Sequence, residues 1–156
     1  MRKHLPLIYI LIVLLGLSVA YSAMMHYSTE GYVKVNVLRM QEDTIIIGYE
    51  CKAIVADTSP ERAHSIKMAL VNRIDGRPMT HDTFVQTLDG FNITLEAVKI
   101  QRYDDQYYYS DMIFNQDKKV LILDSMPSDA IAIALRMDAP IYINETLLEE
   151  VGKDIC

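Results

Sequence analysis

The chain has no tryptophan, three phenylalanines, six glycines, five prolines and two cysteines in 156 residues. Two cysteines cannot make a disulfide framework, so an apolar core has to hold the fold. The low glycine and proline content excludes collagen-like and linker-like chains. There is no GxxxxGK[ST] loop, no GxGxxG turn, no HExxH helix and no CxxC pair. Their absence removes P-loop, dinucleotide-binding, zinc-protease and dithiol readings. Positive charge is also scarce, with 15 Lys and Arg against 21 Asp and Glu. Because Arg2 and Lys3 sit at the very start, the rest is more acidic than the net −6 suggests. Bulk charge therefore does not attract nucleic acid, and polyanion binding requires a local cluster or bound cations.

What the chain does have is apolar residues, at 51%, which suits a globular core and excludes intrinsic disorder. Part of this content is one run. Residues 5–25, LPLIYILIVLLGLSVAYSAMM, carry no charge. At about 1.5 Å per residue a helix of this length crosses roughly 30 Å of hydrocarbon. The segment reads as a membrane anchor or signal peptide over residues 1–27, ahead of a domain over 28–156. Ser18-Val19-Ala20 offers a small-residue cleavage site, which would give a secreted protein. The apolar run continues past it to Met25, which favours an uncleaved single-pass anchor. Arg2 and Lys3 keep the N-terminus cytoplasmic, so the domain is expected to face outward. There a bridge between Cys51 and Cys156 is permitted, although Cys156, as the last residue, is expected to be mobile.

Beyond the anchor, Tyr32 to Arg39 alternates apolar and polar residues, and Thr44 to Tyr49 is a more buried strand. Ser59-Pro60-Glu61 starts a helix that runs to about residue 73. Thr80 is placed to cap a second helix, which closes at Gly90. Residues 91–101, 106–114 and 118–124 read as three strands separated by DDQ and NQD turns, a β-meander. Pro127 opens a largely buried helix that ends before Pro140. A short strand, Ile141 to Ile143, and a small helix, Thr146 to Val151, complete the pattern. The order implies an α+β fold, in which a mixed or antiparallel sheet with a meander packs against three to four helices. The apolar helix also makes a homo-oligomer an expected form.

Three polar groups stand at element boundaries, where backbone amides are free and side chains converge. They are Glu50 after IIIGY; Arg77, Thr80, His81 and Asp82 in RPMTHD; and Asp124, Ser128, Asp129 and Arg136 in DSMPSDAIAIALR. Taken singly, each has an ordinary structural role as a cap, a dipole partner or a surface charge. Three such clusters exceed what capping requires.

The segments IIIGYE at 45–50, RPMTHD at 77–82 and DSMPSDAIAIALRMDAPIYINE at 124–145 together resemble the bifunctional nuclease domain family, over about residues 32–152. The resemblance implies hydrolysis of phosphodiester bonds, with DNA and RNA as substrates. One departure lies in the D-A-R-P-S-D pattern, where Met126 takes the place of the usual arginine.

Phosphodiester cleavage needs an activated water, neutralisation of the phosphate charge and protonation of the leaving oxygen. His81, Asp82 and Asp129 are the catalytic candidates, since an imidazole titrates near neutrality and carboxylates complement it. Glu50, Asp82, Asp124 and Asp129 are oxygen donors of the type that hold Mg2+ or Mn2+. Arg77, Thr80, Ser128 and Arg136 are the candidates for phosphate contacts, the two arginines by bidentate bonds. The competing expectations are a non-catalytic regulatory or ligand-binding module on the same fold, and a structural subunit.

Overall fold

The computed structural model describes Tyr9 and residues 28–156. The membrane or signal segment expected over residues 5–25 lies, Tyr9 apart, outside the described residues. Among the described residues no helix is long and apolar enough to cross a membrane. The chain divides into two units, residues 1–30 and residues 31–156.

The second unit is α+β. Its strands are β1 (Tyr32–Gln41), β2 (Thr44–Tyr49), β3 (Lys52–Asp57), β4 (Thr94–Tyr103), β5 (Tyr108–Gln116), β6 (Lys119–Ser125), β7 (Ile141–Asn144) and β8 (Lys153–Asp154). Its helices are α1 (Pro60–Leu70), α2 (Thr80–Gly90), α3 (Pro127–Arg136) and α4 (Glu145–Val151). One eight-stranded mixed sheet runs in the order β6-β5-β4-β7-β1-β2-β3-β8. Two antiparallel meanders, β1-β2-β3 and β4-β5-β6, are thus joined by β7, which pairs antiparallel with β1 and parallel with β4. A parallel partner requires a crossover, and α3 supplies it by carrying the chain from β6 back across β5 and β4.

The sequence pattern explains α3's place. Ala130 to Ala134 are all buried, so the helix is apolar nearly all round and must be covered on every side. Alternate residues of the sheet face it: Val35, Ile45, Ile47, Ile54, Val98, Ile100, Met112 and Phe114 join Ile131 and Ile133 in one core. Burying each large aliphatic side chain stabilises the fold by about 1.5–3 kcal/mol.

Three expectations change. β3 was not foreseen, because its hairpin with β2 turns through Glu50 at φ 49° rather than through Gly, Asn or Asp. Thr80 does not cap α2; it is the first helical residue, Met79 holds the cap position, and Asp82 accepts the Met79 N–H at 2.8 Å. Cys156 is not a loose end. It is disulfide-bonded to Cys51, and β8 pairs beside it with Lys52 and Ala53 of β3.

Candidate active site

Two helix starts meet above the core. Ser59 caps α1, its Oγ accepting the Arg62 N–H, and Pro60 fills the first turn where no donor is lost. α3 also has a proline in its first turn, Pro127, but no side-chain cap at Met126; Asp129 stands in that turn, where a carboxylate complements the helix dipole. α1 packs against α3, and α2 lies against α3 as well. This packing sets residues far apart in sequence side by side.

Arg62 Nε donates to Asp129 Oδ1 at 3.1 Å, and His81 Nε2 lies 3.3 Å from the same oxygen. On the other side of the ring, Ser65 Oγ is 2.9 Å from His81 Nδ1. With Asp129 ionised, the consistent assignment is an Nε2–H donating to Asp129 and an Nδ1 accepting from the Ser65 hydroxyl. The Ser65 carbonyl accepts from Arg136 Nη1 at 3.2 Å, as does the Ala132 carbonyl at 2.8 Å. Arg136 Nε donates to Asp82 Oδ1 at 2.6 Å. A continuous polar chain therefore runs Arg62, Asp129, His81, Ser65, Arg136, Asp82.

Exposure sorts this chain. The Arg62 and Asp129 side chains are 35% and 32% exposed, whereas those of Arg136 and Asp82 are 9% and 5%. The outer end is open to solvent and the inner end is nearly buried. Burial alone would raise the Asp82 pKa, but hydrogen bonds from Arg136 and the Met79 amide outweigh it and hold the carboxyl below its ordinary value. The inner pair thus positions the site, and the outer groups remain for chemistry. Ser65, His81 and Asp129 have the connectivity of a Ser-His-Asp triad, but Ser65 is only 1% exposed and cannot reach a substrate. Its hydroxyl orients the imidazole.

Beside Arg62 opens a cavity of about 290 Å3. Its floor is apolar, with Ile45, Ile47, Ile54, Ile100 and Ile131, while Ser59, Arg62, Ser128 and Tyr107 provide polar edges. Tyr107 is exposed at the tip of the β4–β5 hairpin, where the Asp104 carboxylate accepts the Tyr107 and Gln106 N–H groups.

Of the residues singled out in the sequence, His81, Asp82, Asp129 and Arg136 fall on this polar chain, and Ser128 lines the cavity. Arg136 bonds Asp82 and two carbonyls, and its Nη2 is buried without a partner among the described residues, at the wall of a second cavity of about 250 Å3 that Asp82 also lines. The others lie apart from the chain. Arg77 is exposed in the loop before α2, and Thr80 borders a shallow groove with Phe84 and Thr87. Glu50 is exposed in the β2–β3 turn. Asp124 is on β6 in register with Asp111 and Lys99, the sheet face opposite Val98 and Met112. Among the described residues no three His, Cys, Asp or Glu side chains converge as metal ligands. The expected set of Glu50, Asp82, Asp124 and Asp129 is not assembled, because Asp82 is locked to Arg136 and the other three stand on different elements. These residues do not fit a divalent-metal centre.

Arg62 and Ser65 escaped the sequence reading. The signal was their spacing: three residues apart on a helix, they share a face with Ala69 and Ile66 close by. Polar groups on that apolar side need partners.

A model of the bifunctional nuclease domain matches residues 37–155. Two uncharacterized proteins of Mycobacterium tuberculosis, from strains CDC 1551 / Oshkosh and ATCC 25618 / H37Rv, are each 37% identical over 76 residues. The match covers 49% of this chain and 44% of each relative's length. With most of its second unit matched, and with the motifs at 77–82 and 124–145 inside that match, the chain belongs to the bifunctional nuclease domain family.

Proposed function

We propose that the domain hydrolyses phosphodiester bonds of DNA or RNA at the Arg62–Asp129–His81 group. The observation that carries this reading is that His81 and Asp129, 48 residues apart, meet at 3.3 Å beside an accessible arginine. A phosphate arriving at the α1 and α3 starts finds two positive dipole ends and Arg62. The guanidinium turns from Asp129 to the phosphate oxygens and neutralises the charge that grows on them. Asp129, held by the His81 N–H, takes a proton from the attacking water. The new P–O bond forms, the bond to the leaving oxygen breaks on the opposite side of phosphorus, a solvent water protonates that oxygen, and Asp129 returns its proton to solvent. A base adjoining the scissile phosphate fits the apolar cavity and stacks on Tyr107.

Arg62 also bears on the departure at Met126. That residue is exposed at the α3 cap position, and a cation reaches Asp129 from α1 instead. The Cys51–Cys156 bridge supports an oxidising location, consistent with a domain held outside a membrane by residues 5–25.

The test is incubation of the full chain with single-stranded DNA and RNA, with Mg2+, with Mn2+ and with chelator. Cleavage is expected, and His81→Ala and Asp129→Asn should each reduce it by about 10²–10⁴-fold with folding intact. Cleavage unchanged in both variants would refute the assignment of residues. The apolar floor of the cavity favours a second reading, a binding module. Saturable nucleotide binding without turnover under every condition would establish it.

A further inference from the structure

The two edges of the sheet are built differently. β8 closes one edge with two residues, Lys153 and Asp154, both charged and exposed. Short charged edges of this kind resist pairing with other chains. β6 closes the other edge with seven residues, KVLILDS. It pairs with β5 without a register break from Ser110↔Ser125 to Gln116↔Lys119, so no bulge twists the edge away. It contains no proline. Val120, Leu121, Ile122 and Leu123 are 43%, 54%, 56% and 37% exposed.

Both faces of β6 are apolar. Leu121 and Leu123 lie opposite Phe114 and Met112, on the core side, while Ile122 lies opposite Ile113 on the other. Continuous apolar runs belong to strands buried on both faces inside a sheet, and alternating patterns to strands with one wet face. β6 thus has the sequence of an interior strand at an edge, with a row of backbone donors and acceptors on its outer side that no strand among the described residues pairs.

We infer that β6 is a dimer interface, on which the β6 of a second copy adds antiparallel to make a continuous sixteen-stranded sheet. The charge pattern selects this occupant. Lys118, the last residue of the β5–β6 turn, and Lys119 precede the aliphatic run of β6, and Asp124 follows it. A second copy laid antiparallel sets lysines against aspartates at both ends, whereas a parallel copy would stack like charges. A dyad perpendicular to an antiparallel ladder passes between equivalent residues. Centring it on Leu121 puts Lys118 opposite Asp124 of the second copy, with the aliphatic residues between. Such a dyad preserves faces, so both helix layers lie on the same side of the joint sheet.

The experiment uses the full chain in a mild detergent, measured by sedimentation equilibrium and by cysteine cross-linking. Wild type is expected to be dimeric at micromolar concentration. Ile122→Lys replaces an already exposed side chain and leaves the fold intact by circular dichroism. It should weaken association by roughly a hundredfold, because aliphatic contact is lost on both copies. Leu121→Cys should cross-link to itself readily, since residues paired across the dyad have Cα atoms about 4.5–5.5 Å apart, within disulfide reach. Val120→Cys, offset diagonally from its own equivalent, should link far more slowly. A monomeric wild type, a dimer indifferent to Ile122→Lys, or equal cross-linking at 120 and 121 would each overturn the interface. None of these outcomes depends on nuclease activity.

Discussion

Replacing Asp82 with alanine leaves the Arg136 guanidinium buried without its counter-charge. The two side chains are 5% and 9% exposed, so water and salt screen their interaction little. Breaking such a pair from one side costs about 3–5 kcal/mol. Arg136 keeps its bonds to the Ser65 and Ala132 carbonyls, which pulls the value toward the lower end. The Met79 amide loses its acceptor at the start of α2, which adds about 1 kcal/mol. For a unit the size of residues 31–156, unfolding entropy near 2.1 cal/mol/K per residue converts about 3–5 kcal/mol into a fall in Tm of roughly 11–19 °C. Thermal unfolding followed by circular dichroism measures it. Arg136→Met in the same background removes the stranded charge, so the double variant should be more stable than Asp82→Ala alone. The native Asp82 pKa is depressed, so its contribution is present above the unfolded value of about 3.9 and fades as pH falls through it and the lower native value. The gap between wild type and Asp82→Ala should therefore narrow in acid. A Tm loss under about 2 °C at pH 7, or strictly additive single and double variants, would refute the reasoning.

A Cβ added at Gly48 would stand 2.1 Å from the Lys52 carbonyl oxygen and 2.5 Å from Ala53 Cα. Gly48→Ala should thus cost at least about 2 kcal/mol in urea denaturation, and a neutral result would show that β2 and β3 do not pack this closely at Gly48. Reducing the Cys51–Cys156 bridge, which spans 105 residues, should lower stability by about 3–5 kcal/mol, seen as a shifted denaturation midpoint; an unchanged midpoint would show the C-terminus to be energetically idle. Tyr107→Ala removes an exposed ring at the cavity edge, and with cleavable RNA it should raise KM about tenfold or more while sparing kcat. A fall in kcat at constant KM would move Tyr107 out of base binding and into the chemistry.

The sequence by itself determined the local architecture. A period-two pattern marked β1, the DDQ and NQD turns marked the β4-β5-β6 meander, Ser-Pro and Pro starts marked α1 and α3, and the apolar run from Ala130 to Leu135 made α3 the buried helix. These are nearest-neighbour effects of capping, turn chemistry and side-chain alternation, which a chain displays without its partners. β3 escaped because Glu50 occupies a positive-φ turn with none of the usual turn residues. The candidate site was legible only in part. His81, Asp82, Asp129 and Arg136 stood out as charges at element ends. Which of them remain reachable depended on α1, a helix marked by its start but whose Arg62 and Ser65 belong to no motif. Tertiary packing alone decided that Asp82 and Arg136 neutralise each other in the interior, that Glu50 and Asp124 stand apart, and that β6 ends at an open edge. The physical reason is that desolvation and pairing depend on what other segments bring within a few ångströms, and no local pattern in the chain carries that information.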